Sequence, residues 1–192
     1  EGKTVLDPQL GADDRVNDMV ILPDGKILVT GSSQGNVNLD VLLMRLNADG
    51  TIDNTFQTNG YSLMNFAGND FGVKINVYNN KIYIAARSMV GNNNTDGYII
   101  RLNMDGTLDQ SFGTFSFTTI DPFSGDKETL EDFTIMADGS IVAIGRSTGL
   151  TTKHYACKLK ANGLIDSSFG SKGFYLLPES SFTRFHAVND AG

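Results

Sequence analysis

Short apolar runs separated by polar turns recur along this chain in a fixed order. The first copy has runs at 16–22, 26–31, 41–46 and 61–66. Each run has the length of a β-strand, and few stretches show the spacing of three to four residues that marks an amphipathic helix. The pattern predicts an all-β fold.

The same order of four runs returns twice. The later copies have runs at 73–78, 81–86, 98–102 and 115–120, and then at 130–136, 140–145, 154–159 and 174–177. Two further runs, 3–8 and 182–188, resemble the last and the first strand of such a unit. We therefore expect a single repeat domain over 1–192, with repeats at about 12–66, 67–120 and 121–177 and partial strands at both ends.

Turn residues separate the first two runs of each copy. Pro23-Asp24-Gly25 and Ala137-Asp138-Gly139 are typical of tight turns, because glycine accepts a positive φ. Asn79-Asn80 predicts a two-residue hairpin, since asparagine also tolerates that conformation. Each copy thus predicts four antiparallel strands.

The period of the repeat is carried by one stretch. It reads RLNADGTIDNTF from Arg45, RLNMDGTLDQSFG from Arg101 and KLKANGLIDSSFG from Lys158, 56 and 57 residues apart. A period of this length is typical of a propeller blade or another array unit. The coils of a β-helix are much shorter, and a β-sandwich has no reason to repeat at this interval.

The second and third runs of each copy are almost continuously apolar, as in VLLM and IYIAA. A sheet with one wet face would alternate, so we expect these strands to be covered on both sides. The fourth run alternates more, with Phe115 and Phe117 between Ser116 and Thr118. Radially stacked four-stranded blades, with the fourth strand at the rim, explain both patterns.

Two of the repeated motifs resemble those of a known family. PDGKILVTGS followed by RLNADGTIDNTF, and then RLNMDGTLDQSFG, resemble the delta-60 repeat, the DUF5122 β-propeller repeat of bacterial surface and secreted proteins. The resemblance implies a propeller fold and an extracellular or bacterial cell-surface setting. It implies no defined activity.

The departures from the family pattern are local. Asn79-Asn80 replaces Asp-Gly in the second copy, which is equivalent in a turn. Lys158, Lys160 and Asn162 replace Arg, Asn and Asp in the third copy, which argues against a ligand role for that loop.

Three blades with partial blades at both ends are few for a closed ring, since propellers have about four to eight blades. An uncovered blade face would leave apolar surface in water. We therefore expect the chain to be part of a larger propeller, with further blades in a parent chain, or to close with a second copy.

Composition excludes several partners. Fifteen basic and 22 acidic residues give a net charge of −7, which opposes binding to nucleic acid phosphates. No apolar run approaches the roughly 18 residues that span a membrane. The N-terminal residues EGKTVLDP lack the pattern of a signal peptide, so we expect none in this sequence.

The loops at 47–53 and 103–109 have side-chain oxygens at alternate positions and a glycine, which resembles a calcium loop. The third loop, 160–166, loses a carboxylate at Asn162 and gains a cation at Lys160. We favour structural turns and leave calcium as the alternative. We expect each turn to be capped by an aspartate that precedes a buried phenylalanine: Asp53 and Phe56, Asp109 and Phe112, and Asp166 and Phe169.

A basic residue recurs in the third strand of each copy. A charge in an apolar strand requires a carboxylate partner. We expect one structural salt bridge in each blade: Arg45 with Asp53, Arg101 with Asp109, and Lys158 with Asp166.

Catalytic motifs are weak in this sequence. The stretch 31–35 fits G-x-S-x-G around Ser33, but no helical pattern follows it, as a nucleophile elbow requires. His154, Cys157 and His186 do not have the spacing of a zinc site. We expect no enzyme, no cofactor and no metal ligands.

The connections between second and third strands vary among the copies, as do those between copies. Strand alternation places both sets at one end of the sheets, and binding residues often lie on such loops. Simple solvated loops are the alternative. The candidate residues for binding a glycan or protein partner are Gln34, Asn36, Asn38, Asp40, Asn92, Asn93, Asn94 and Asp96.

The sequence thus favours a non-catalytic β-propeller repeat module of a bacterial cell-surface or secreted protein, acting as a scaffold or a binding and adhesion unit. A carbohydrate-active or hydrolytic propeller is one alternative. A calcium-stabilised structural spacer is another.

Overall fold

The computed structural model describes residues 13–66, 68–89, 91 and 94–177. Within these ranges the chain forms twelve β-strands and no helix, and hence no helix long and apolar enough to cross a membrane. The strands are β1 (Arg15–Ile21), β2 (Ile27–Gln34), β3 (Leu39–Leu46), β4 (Tyr61–Met64), β5 (Asn69–Tyr78), β6 (Lys81–Met89), β7 (Asp96–Asn103), β8 (Phe117–Ile120), β9 (Lys127–Ile135), β10 (Ile141–Thr148), β11 (Thr152–Leu159) and β12 (Phe174–Leu176).

The strands form three antiparallel sheets of four, each in sequential order. We call β1–β4 the first blade, β5–β8 the second and β9–β12 the third. The prediction of an all-β fold with three four-stranded antiparallel repeats is confirmed. The partial strands predicted at 3–8 and 182–188 lie outside the described residues.

The blades pack face to face in order along the chain. Strands β1, β2 and β3 contact β5, and strands β5, β6 and β7 contact β9. Leu43 of the first blade shares a buried cluster with Ile84 of the second, and Ile99 of the second shares another with Leu130 of the third. The first strand of each later blade therefore lies against the preceding blade, as propeller-type stacking requires.

Burial of the inner strands follows the apolar pattern in two blades. Strands β2, β3, β6 and β7 are buried almost without interruption, as predicted. In the third blade, β10 and β11 instead alternate between buried and partly exposed residues, so the prediction is wrong there. The reason is that only one face of this sheet packs on a described blade.

Several strands are longer than their apolar runs. Strand β5 begins at Asn69 rather than 73, β7 at Asp96 rather than 98, and β9 at Lys127 rather than 130. Apart from Phe71, the additional residues are polar or glycine, and they pair in the sheet. The fourth run of the second copy is instead shorter, because β8 begins at Phe117 and not at Phe115.

Candidate functional site

The N-x-D-G segments are turns closed by their own aspartates. Asp49 Oδ1 accepts hydrogen bonds from the backbone N–H of Thr51 (2.9 Å) and from its hydroxyl (2.7 Å). Asp105 accepts the same pair from Thr107, at 2.9 and 2.6 Å. These bonds lower the pKa of both carboxyls. The geometry is that of the structural turn favoured above.

The predicted salt bridges form in all three blades. Arg45 Nε lies 2.8 Å from an oxygen of Asp53, and Arg101 Nε lies 2.9 Å from one of Asp109. The third pair is looser, with Lys158 Nζ 4.0 Å from its carboxylate partner, Asp166. The prediction is confirmed, and its weakest member is the lysine that departs from the pattern.

A second cation joins two of these pairs. Lys26 Nζ lies 2.7 Å from Asp53, and Lys81 Nζ lies 2.9 Å from Asp109. The bond from Lys26 is the main cause that holds the pKa of Asp53 well below its usual range. Sequence reasoning missed both lysines, although each directly follows the first turn of its blade in the sequence.

The arginine side chains also cover the predicted phenylalanines. Arg45 lies 4.5 Å above the Phe56 ring centre, and Arg101 lies 4.6 Å above that of Phe112. Both phenylalanines are fully buried, as expected. Phe169 is only half-buried, so that expectation is wrong, because no described blade packs beyond it.

The same arginines connect neighbouring blades. Arg45 Nη1 donates to the carbonyl of Met104 in the second blade (3.1 Å), and Arg101 Nη1 donates to that of Ala161 in the third (3.0 Å). The amide of Gly113 adds a bond to the carbonyl of Asn162 (2.8 Å). Each turn therefore serves as an acceptor for the blade before it.

Each of these units, from the turn after the first strand to the buried phenylalanine, can be compared with known families. Residues 22–56 and 79–112 match the model of a family described as a domain of unknown function (DUF5122) with a β-propeller fold. These two segments are DUF5122 β-propeller repeats. The resemblance seen in the sequence is confirmed, and no curated protein matches the chain significantly.

The loops proposed for partner binding lie at the end of the DUF5122 blades opposite the N-x-D-G turns. Asn38 and Asp40 accept hydrogen bonds from Asn65, at 2.7 Å each. Asn94 donates to Asp96 (3.0 Å). Four of the eight candidates thus belong to polar networks where blades meet. The others are Gln34, which donates to the adjacent Gly35 carbonyl, Asn36, which is exposed, and Asn92 and Asn93, which lie outside the described residues.

A larger concave surface lies elsewhere, on the outer rim between the first and second blades. This rim groove has a volume of about 880 Å³. Its described lining contains aromatic rings, amides and hydroxyls but no charged side chain. It is formed by Gln57, Ser62, Leu63, Met64, Asn65, Phe66, Tyr98, Gly106, Thr107, Leu108, Gln110, Phe115, Phe117 and Thr119.

Phe115 stands out in the rim groove. Its side chain is 75% exposed, and its φ is +59°, while that of Ser116 is +78°. The backbone N–H of Arg101 donates to the carbonyl of Ser116. In the same way, the N–H groups of Arg45 and Lys158 donate to the carbonyls of Gly60 and Gly173, so the three positions are equivalent. The first and third blades therefore have Asn59-Gly60 and Lys172-Gly173 where the second has Phe-Ser.

Sequence reasoning missed the rim groove because it placed Phe115 inside an alternating strand. The available signal was the loss of a glycine. Two copies carry glycine just before the fourth strand, and the second carries Ser116.

Proposed function

We propose that this DUF5122 chain is a non-catalytic propeller module that binds a neutral glycan in the rim groove. The observation that carries the proposal is Phe115, an aromatic side chain held outward in a left-handed conformation.

The left-handed conformation of Phe115 and Ser116 is unfavourable for both residues. Non-glycine residues in this region cost about 1 kcal/mol or more each, and asparagine and glycine tolerate it best. The equivalent residues Asn59 and Gly60 show that the same turn closes without this cost. Lys172 of the third blade shares the conformation of Phe115 but is followed by a glycine, so only the second blade has two strained residues here, and ligand binding would explain why they are kept.

The lining of the rim groove favours a neutral, polar ligand with apolar faces. An exposed phenylalanine offers a flat apolar surface on which a sugar ring can stack. The side chains of Gln57, Asn65 and Gln110 offer donors and acceptors around it. The volume lies in the range of small-ligand sites, about 300–1,000 Å³. The absence of charge from the described lining favours a neutral glycan over a charged peptide.

Hydrolysis is the less supported alternative. Glycoside hydrolases use a pair of carboxyl groups at the substrate, and the described lining of the rim groove contains none. A carboxylate cluster does exist at the other end of the blades, but Glu128 within it is fully buried. Substrate could not reach that residue without opening the sheet.

We also propose an extracellular or bacterial cell-surface location, which the family resemblance implies and where glycans are abundant. Met19 and Ile21 are exposed on the first blade and Tyr175 on the third. Further blades of a parent chain, or a second copy, would cover such apolar residues.

Replacing Phe115 by the residue of the first blade tests binding directly. Phe115→Asn removes the platform and relieves the strain, so glycan binding should be lost while stability rises by about 1 kcal/mol. Binding would be measured on a panel of neutral and acidic glycans, and stability by urea unfolding.

Leu150→Asn is the matched control, since Leu150 is fully exposed at the opposite end of the blades. It should bind as the unaltered protein does. Equal binding by Phe115→Asn, or binding to no neutral glycan by the unaltered protein, would refute the proposal.

A further inference from the structure

Three carboxylates meet where the second and third blades join. One oxygen each of Asp96, Asp121 and Glu128 lies within 4.8 Å of the other two. Asp96 begins β7, Asp121 follows β8, and Glu128 lies at the start of β9. We call these residues the acidic cluster, and nothing in the proposed glycan site depends on it.

The backbone holds the acidic cluster together. Gly97 pairs with Ile120, which places Asp121 opposite Asp96 at the end of the second blade. Across the junction, the N–H of Glu128 donates to the carbonyl of Thr95 (2.6 Å). The three carboxylates therefore converge because of strand pairing and not because of a flexible loop.

Glu128 is buried without a hydrogen-bond partner. It has no exposed surface, and neither of its carboxylate oxygens has a hydrogen-bond partner in the described structure. The hydroxyl of Ser147 lies nearby but donates to Asp126 instead (3.2 Å). Burial raises the pKa of Glu128 to about 7, and the negative charges of Asp121, Asp126 and Asp96 reinforce the shift. A carboxylate that is buried without a hydrogen bond or a positive partner destabilises the fold.

The junction between the first and second blades is an internal reference for this site. Ser33 pairs with Asp40, and Ser88 pairs with Asp96, so those aspartates are equivalent. By the same registers, Asn65 corresponds to Asp121, since each follows the last residue of its outer strand.

Asp70 completes the comparison. It pairs with Ser88 as Glu128 pairs with Ser147, so it is the counterpart of the buried glutamate. The first junction thus has the same arrangement of acidic positions, with an amide in place of one carboxylate.

Hydrogen-bond donors reach both carboxylates of the first junction. The amide of Asn65 donates to Asn38 and to Asp40, at 2.7 Å each. The backbone N–H of Phe66 donates to Asp70 (2.7 Å). One oxygen of Asp70 has no partner, whereas both oxygens of Glu128 have none.

Both donors are missing from the second junction. Asp121 replaces the amide of Asn65, and Pro122, which has no N–H, replaces Phe66. The sequence has therefore removed two donors and added a negative charge at the one place where Glu128 is buried without a partner. A bound cation would compensate for both changes.

The geometry points to a divalent cation site at Asp96, Asp121 and Glu128, with Ca²⁺ as the preferred ion. All of the donors are oxygens, which hard cations select over zinc or copper. The side-chain oxygen of Asn94 is also buried without a partner beside Asp96 and offers a neutral fourth ligand. Asp121 is exposed, so the ion has a route from solvent.

The cation would join β7, the end of β8 and β9, and so tie the second blade to the third. It differs from the calcium alternative considered for the N-x-D-G turns. The carboxylates there already accept hydrogen bonds from Thr51 and Thr107.

Calorimetric titration of the EDTA-treated chain with CaCl₂ tests the site. We expect one ion per chain, with a dissociation constant between about 10⁻⁶ and 10⁻³ M. The melting temperature should rise by about 5–10 °C at a hundredfold excess of Ca²⁺ over that constant. Asp121→Asn restores the amide of the first junction, so it should fold, bind no Ca²⁺ and melt at the same temperature with Ca²⁺ or EDTA.

Asp105→Asn is the matched control, because it removes one carboxylate from a turn at the opposite end. It should bind Ca²⁺ as the unaltered chain does. Asp96→Asn provides a second variant of the site should Asp121→Asn fail to fold. No heat and no melting shift in the unaltered chain would overturn the inference. A response kept in Asp121→Asn or Asp96→Asn, or lost in Asp105→Asn, would also overturn it.

Discussion

Asp109 shows how one carboxylate organises a blade. It accepts hydrogen bonds from Arg101 of β7 and from the side chain and backbone of Ser111, and it lies 2.9 Å from Lys81. It is almost fully buried, whereas its third-blade counterpart Asp166 is partly exposed and 4.0 Å from its lysine. The same residue type at the same repeat position therefore has unequal energetic weight.

Asp109→Asn should lower the free energy of unfolding by about 3 kcal/mol at pH 7, because it leaves two cations without a buried partner. Burial works to raise the pKa of Asp109, but bonds from Ser111 and Lys81 outweigh it and hold the pKa well below its ordinary value. The carboxylate therefore stabilises the fold above the pKa of an unfolded aspartate, about 3.9, and that stabilisation is lost as pH falls below it. Urea unfolding between about pH 7 and pH 3 measures both effects, and the gap between variant and unaltered protein should narrow at low pH.

Asp166→Asn is the control for this prediction, with an expected loss below about 1 kcal/mol. Equal losses for the two variants, or a gap that widens as pH falls, would contradict the assignment.

At the scale of single elements, the repeated arginine does more than neutralise its aspartate. Arg101 pairs with Asp109 through Nε, and its other nitrogens donate to Ser111 (3.0 Å) and to the Ala161 carbonyl of the next blade (3.0 Å). A guanidinium can make these bonds together because its donors form a rigid planar fork. At the equivalent position of the third blade, Lys158 makes the looser 4.0 Å pair with Asp166.

Arg101→Lys should therefore keep part of the ion pair but lose the bond across the junction. We expect a loss of about 1–2 kcal/mol in the free energy of unfolding, measured in urea. Arg146→Lys is the control, because Arg146 is half-exposed and makes a loose 3.5 Å pair with Glu131. This substitution should change the free energy of unfolding by less than about 0.5 kcal/mol. Similar losses in both variants would show that the junction bond contributes nothing.

The strands were predictable from sequence where their residues are apolar. The runs around Leu43 and Ile84 indicated buried strands, and both are buried. The first residues of β5 and β9 were not predictable in the same way, because Asp70 and Glu128 are polar residues that sequence patterns assign to loops. Their burial depends on pairing with serines from the neighbouring strand, which only the fold brings opposite them.

The candidate sites were harder to predict for the same reason. The repeat indicated the pair of Arg101 and Asp109, because both residue types recur at fixed spacing. The rim groove and the acidic cluster instead arise where one blade departs from the others, at Phe115 and at Asp121. A departure from a repeat indicates a special position. The sequence does not show which residues of the next blade contact that position, because blade stacking brings them together.

At the scale of the whole molecule, the blades stabilise one another in sequence. Each turn of a later blade accepts hydrogen bonds from the blade before it, and each buried phenylalanine lies under that turn. Gly163, for example, lies so close to Phe112 and to the Gly113 backbone that an added methyl group would clash at 2.6–2.8 Å. Stability then resides in the junctions as much as in the sheets, as in other repeat proteins.

Hydrogen exchange at the Gly113 amide tests this stacking most directly. This N–H donates to the carbonyl of Asn162 in the third blade, so it is protected only while the second and third blades are packed together. Measured by NMR, it should exchange as slowly as the core amides of β6 and β7. Exchange at the rate of an unstructured peptide, with those core amides still protected, would contradict blade stacking at this junction.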